Sequence, residues 1–212
     1  GGDAWQLTVN EGGAARNDRD RQSAFQAAEA ALKDAEFEIL DPTSPGGSCA
    51  APGQANRGRG RLGYTASTCF NSVSVLGFAV TSTSPCSVAP NAGLCEFNAA
   101  APAWLRPASD PQHLDFLADA KGAGTGGTVA YGTYTNRFYG SQASLGVGKP
   151  LSRYPPRYII EAVPQNTSSA DSLTSDQGPC AGLPCMFRVT AMGFGANPNT
   201  QVVLQTIVST KD

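Results

Sequence analysis

Apolar residues recur at steps of three, four, three and four along Phe25, Ala28, Leu32, Ala35 and Ile39, which puts all five on one face of an α-helix. Arg21, Gln22, Gln26, Glu29, Lys33 and Glu36 fall mostly on the remaining surface. The pattern predicts an amphipathic helix over residues 18–40, rich in alanine, the strongest helix former. Asn17 or Asp18 can cap its start, and Asp20 lies in the positive first turn. Glu29 and Lys33 stand in the favourable i, i+4 order. A stripe made largely of alanine lets a neighbour approach closely but buries little area, so this helix needs a body to lie against.

The period changes in the last third. Residues 157–163 (RYIIEAV), 186–192 (MFRVTAM) and 200–208 (TQVVLQTIV) read as strands. In the second, Phe187, Val189 and Ala191 point one way while Arg188 and Thr190 point the other. In the third, Val202, Leu204 and Thr206 alternate with Val203, Gln205 and Ile207. The connection from Gly193 to Asn199 is rich in turn formers. Consecutive strands with short turns favour an antiparallel meander, whose one face must be covered; the alanine-rich helix is the best cover in the chain. The predicted class is therefore α+β: helix first, antiparallel β-sheet last, with a long loop-rich middle. Within that middle, Ser72 to Val80 reads as a further strand. Ser109, Asp110 and Pro111 can start a short helix with Leu114 and Leu117 on one side. Gly122 to Gly127 reads as flexible, and Thr128 to Tyr139 as an edge strand or an ordered loop. Residues 1–16, with a small apolar patch at Trp5, Leu7 and Val9, read as a weakly structured leader or in part as sequence added by cloning.

Composition narrows this picture. The 212 residues are long enough for a real core, and the net charge of −2 offers no field for nucleic acid or an acidic membrane. With 24 glycines and 15 prolines against 15% charged residues, much of the chain must be turn and loop. Six cysteines, Cys49, Cys69, Cys86, Cys95, Cys180 and Cys185, sit at loop-like positions. Metal ligation would want C-x2-C pairs and histidine partners, but no such pair occurs and His113 is the sole histidine. Disulfides in an oxidising compartment are favoured. Proximity favours Cys49–Cys69, Cys86–Cys95 and Cys180–Cys185, although six cysteines allow many other connectivities. No apolar run reaches membrane-span length, no secretory signal is present and the chain does not begin with Met. If the disulfides hold, an export segment is expected to have preceded Gly1.

Candidate chemistry is sparse. Asn56 to Arg61 (NRGRGR) is the one basic cluster; without an aromatic platform it reads as a solvated loop before a nucleic-acid contact. His113 lies in Asp110-Pro111-Gln112-His113-Leu114-Asp115 with no G-x-S-x-G elbow, which argues against a Ser-His-Asp hydrolase. Gly146 to Pro150 (GVGKP) lacks the spacing and the Ser/Thr of a phosphate loop. Asp110, Asp115 and Asp119 in one area, and Asp171 and Asp176 in another, match neither a calcium loop nor a paired-carboxylate site. Asn166-Thr167-Ser168 matches a glycosylation sequon, a pattern common by chance. No catalytic residue, metal ligand or cofactor is assigned.

The string from Arg19 to Glu36, RDRQSAFQAAEAALKDAE, closely resembles the signature of PilX-type minor pilins of bacterial type IV pili. Pro156 to Glu161 (PRYIIE) resembles that family's first C-terminal sheet strand, and Phe187 to Val203 (FRVTAMGFGANPNTQVV) its closing hairpin. Gly93-Leu94-Cys95 followed by Trp104 is similar to a mid-chain feature of the family. The resemblance implies a pilin-like fold in which 17–40 is the C-terminal half of the pilin helix and 41–212 the globular head. It further implies a missing N-terminal half of that helix anchored in the inner membrane, processed by a prepilin peptidase. The implied protein waits on the periplasmic face of that membrane and then sits outside the cell at the pilus tip. Its implied partners are other minor pilins, a large tip adhesin and, as a further candidate, the major pilin; nucleic acid is not among them. The implied role is priming of pilus assembly, with adhesion and twitching motility downstream. Two alternatives stand beside this: a pseudopilin of a type II secretion system, and a secreted hydrolase or sugar-binding module.

Overall fold

Helix α1 spans Asp18–Leu40 and lies against a six-stranded sheet. The computed structural model describes residues 5–8, 18–40, 86, 92–97, 101–110, 113–135, 137–139, 152–163 and 186–209. The strand expected over 72–80, the arginine–glycine segment, the sequon, the 146–150 turn and Cys49, Cys69, Cys180 and Cys185 lie outside the described residues. The strands are β1 Trp5–Thr8, β2 Leu94–Glu96, β3 Val129–Ala130, β4 Arg157–Val163, β5 Met186–Phe194 and β6 Gln201–Ser209.

Strands β4, β5 and β6 form the expected antiparallel meander. The register sets Tyr158 opposite Ala191, and Ala191 opposite Leu204. Tyr158, Ile160, Ala162, Phe187, Val189, Ala191, Val202, Leu204 and Val208 form one core with α1. From the helix come Ala24, Ala28, Ala31, Leu32, Ala35 and Ile39, with half-buried Phe25 packed against them. The helix–sheet spacing is very small at Gly193 of β5: a Cβ there would fall on the Ala24 carbonyl oxygen and the Ala28 amide nitrogen. Small residues on both sides let backbone meet backbone, which is how an alanine stripe makes a tight joint despite its modest area.

The sheet as a whole is mixed, because short strands extend the meander at both edges. Trp5–Thr8, in the stretch expected to be weakly structured, pairs antiparallel with β6, Trp5 opposite Gln205. The outer edge of β4 is shared: β3 pairs antiparallel at Arg157 and Tyr158, and β2 pairs parallel at Ile160 to Ala162. Thr128 to Tyr139 is thus both expected things in turn, a two-residue strand and then an ordered turn.

A second layer covers the opposite face. Cys86, Cys95, Ala103, Leu114 and Phe116 pack on Ile159, Met192, Phe194 and Val203. Trp104, in a 3-10 turn at Ala103–Leu105, meets Phe116 edge-on, and Tyr154 meets Phe194 in the same way. The short helix α2 runs Phe116–Ala120, later than the expected start at Ser109-Asp110-Pro111. Asp115 takes the cap instead, accepting the Ala118 amide at 3.0 Å, which leaves Phe116 free to enter the core as the first helical residue. The 122–127 stretch, expected to be flexible, is wrapped around one carboxylate. Asp119 accepts from the Gly126 amide at 2.8 Å and from the Thr128 amide and hydroxyl at 2.9 and 2.7 Å.

Candidate functional site

Among the described residues, His113 and the acids around it are occupied in holding the chain together. His113 Nδ1 lies 2.6 Å from the Arg106 carbonyl, which can only accept, so Nδ1 carries the proton and donates. Arg106 in turn donates to the Ala101 carbonyl at 3.1 Å and to Asp110 at 3.3 Å. Asp110, Asp115 and Asp119, neighbours in sequence, thus serve an arginine clasp, a helix cap and a loop anchor. Thr128, held by Asp119, receives Arg157 at 2.7 Å on both its hydroxyl and its carbonyl. Among the described residues no three His, Cys, Asp or Glu side chains gather as metal ligands would. Cys86 and Cys95 are joined in a disulfide with Cα atoms 5.0 Å apart.

The chemistry that is concentrated in one place belongs to the joint between α1 and the rest of the molecule. Three helix carboxylates reach across it at successive heights. Asp20 accepts from the Ala196 and Asn197 amides at 2.5 and 3.0 Å in the β5–β6 turn. Gly195 belongs to the same contact, since a Cβ there would fall on the Asp20 carboxyl. Asp34 accepts from the Gly132 amide at 2.8 Å and the Thr135 hydroxyl at 2.5 Å. Glu38 accepts from the Tyr158 hydroxyl of β4. Burial raises the Asp34 carboxyl above the ordinary carboxylate range, against the two hydrogen bonds that favour its ionised form. On the opposite sheet face Arg188 grips fully buried Glu161 in a two-pronged pair at 2.9 and 2.8 Å, and its guanidinium lies 4.5 Å from the Phe97 ring.

The expected packing residues Ala28, Leu32, Ala35 and Ile39 all lie within this joint, and Phe25 lies at its margin. Asp34 and Glu38 were not among the residues singled out from the sequence. Their signal is positional: with Ala31, Ala35 and Ile39 they share the face generated by steps of three and four, so two acids stand inside the apolar stripe. The helix presents Arg21, Gln22, Gln26, Glu29 and Lys33 outward. Glu29 and Lys33 form no ion pair, in keeping with how little an exposed pair contributes.

Two large apolar side chains stand out from the described surface, Leu105 at 58% exposure and Phe138 at 78%. Phe138 follows Arg137, whose guanidinium lies 4.8 Å from the Phe37 ring and 5.9 Å from Tyr131. Tyr131 and Tyr139 stack obliquely at 5.3 Å. Burial raises both phenols above the ordinary tyrosine value, so both are neutral near pH 7. The arrangement suits packing and docking: a braced helix–sheet joint, with aromatic and cationic side chains at one end of it.

The family model for the C-terminal part of the type IV pilus assembly protein PilX matches residues 80–210, more than half of the chain. No curated protein and no solved structure matches. The matched span takes in the disulfide, the second layer and strands β2 to β6, while α1 precedes it.

Proposed function

Given that the chain belongs to the PilX family of type IV pilus assembly proteins, we propose that it is a minor pilin that helps prime pilus assembly and forms part of the tip complex. The family is a structural component of the pilus and no known enzyme family, and membership places the chain in the cell envelope or in the extracellular pilus. Beyond that coarse placement, the observation that carries the reading is the joint of α1 with β4, β5 and β6. A helix packed along its own sheet and fixed at three heights to the sheet and its flanking turns can pass a pull or a push on one to the other. That is what a subunit needs if its helix is to be held among other helices while its head meets neighbouring heads.

The proposed partners are the other minor pilins, a large tip adhesin and the major pilin. The proposed route is the periplasmic face of the inner membrane, with an N-terminal helix inserted in the bilayer, and then the pilus tip. The head and the outward face of α1 are the proposed contact surfaces, and no catalytic step is proposed. Deletion of the gene should strongly reduce surface pili and twitching, and expression in trans should restore both. Purified minor pilins should capture the chain in solution. Normal piliation in the deletion strain, together with no capture by any minor pilin, would overturn the reading.

A further inference from the structure

Arg137 and Phe138 stand side by side at the surface, next to α1. Their loop is braced before any partner arrives. Asp34 of α1 holds the Gly132 amide and the Thr135 hydroxyl, and the Arg137 amide donates back to Thr135 at 3.4 Å. Gly132 has a φ of +84°, and a Cβ there would fall on the Arg137 carbonyl oxygen, so the turn closes tightly on the arginine. A surface set in advance loses little entropy when it binds.

The guanidinium lies over the Phe37 ring and near that of Tyr131, yet among the described residues it forms no ion pair and donates no hydrogen bond. Its charge reaches Asp34, but that carboxylate is buried and already occupied. A stacked arginine offers several N–H donors in a fixed fork and no acceptor, so its natural counterpart is a carboxylate bound by two parallel hydrogen bonds. Phe138 stands beside it with most of its ring in water. One exposed phenylalanine means little by itself. Next to an arginine that has no ion pair among the described residues, on a braced turn, it completes the pairing of aromatic and arginine that dominates binding energy at protein interfaces.

We propose that Arg137 and Phe138 are the docking point for a neighbouring pilus subunit that presents a carboxylate beside an apolar side chain. This rests on the pilus reading given above. The test measures binding of the purified chain to each purified minor pilin and to the major pilin of the same bacterium, by calorimetry. Phe138→Ser and Arg137→Lys are compared with Leu105→Ser, which removes the other exposed apolar side chain. Unchanged melting temperatures establish that all three variants are folded. Arg137→Lys keeps the charge and loses the fork, so a loss of roughly thirtyfold or more in it and in Phe138→Ser, with Leu105→Ser unaffected, is the expected result. Wild-type binding that survives both changes would overturn the docking point and leave the pilus reading intact. A wild type that binds no pilus subunit would overturn both. Self-association of the chain that Phe138→Ser abolishes would assign the surface to a second copy, and so overturn the partner proposed.

Discussion

Asp34 is a carboxylate placed where alanine would have been the easier choice. It is fully buried between α1 and the 131–135 turn, and it satisfies one amide and one hydroxyl there. Replacing it by alanine removes the acceptor for both donors, and Asp34→Ala should destabilise the protein by about 1–3 kcal/mol. Asparagine can accept from Gly132 through its oxygen and donate to Thr135 through its nitrogen, so Asp34→Asn should keep the turn in place. The two forms then part with pH. Burial raises the folded-state carboxyl above its unfolded value, so the folded protein holds this proton more tightly than the unfolded chain does. Stability from that proton is complete below the ordinary carboxylate range and is lost as pH rises through the folded value. Asp34→Asn has no such loss. Its urea midpoint should gain on the wild type as pH climbs from about 4 towards neutrality, then run parallel to it. A difference that stays constant over that range would mean that Asp34 ionises alike in both states.

At the scale of the element, α1 is held by its stripe more than by its own propensity. Leu32 is 6% exposed within the core that joins helix and sheet. Leu32→Asp puts an unpaired charge into that joint, and the expected outcome is unfolding or aggregation, read as loss of the cooperative thermal transition. An unchanged melting temperature would mean that the helix face is solvated. The helix and the three long strands were legible because each runs for seven residues or more, with a helical period in α1 and apolar, β-branched runs in the strands. Strands of two to four residues repeat nothing. β2 and β3 acquire their identity from β4, a partner far along the chain, and the parallel pairing of β2 leaves no local trace. β1 did carry a trace, the alternation of Trp5 and Leu7 with Gln6 and Thr8, too brief to outweigh the glycines around it. Asp34 and Glu38 stood on the buried face unremarked, because the period was read from the apolar residues alone. Arg137 and Phe138 gain meaning only once the turn is laid against Phe37, and no spacing in the sequence announces that contact.

The molecule as a whole is layered: α1, then the sheet, then the segment around Cys86 to Ala120. The two outer layers are held differently. α1 is regular, continuous and tied by three carboxylates, two to the meander and its turn and one to the 131–135 turn. Among the described residues the far layer holds a 3-10 turn and a helix of five residues, and it relies on Leu114, Phe116 and the Cys86–Cys95 bond for its position on the sheet. The disulfide closes a short loop in which the Gly93 amide donates to the Cys86 carbonyl at 2.8 Å, and Gly93 passes its own carbonyl to Ile160 of β4 at 2.6 Å. Cutting it frees the entry to β2 and, with it, the layer that β2 anchors. The double change Cys86→Ala with Cys95→Ala should cost about 2–3 kcal/mol, as expected for a loop of this length. It should act unevenly: hydrogen exchange should rise through residues 92–120 while amides of α1, β5 and β6 keep their protection. Uniform loss across both outer layers would show that the sheet transmits the damage, and that the two faces fold as one unit.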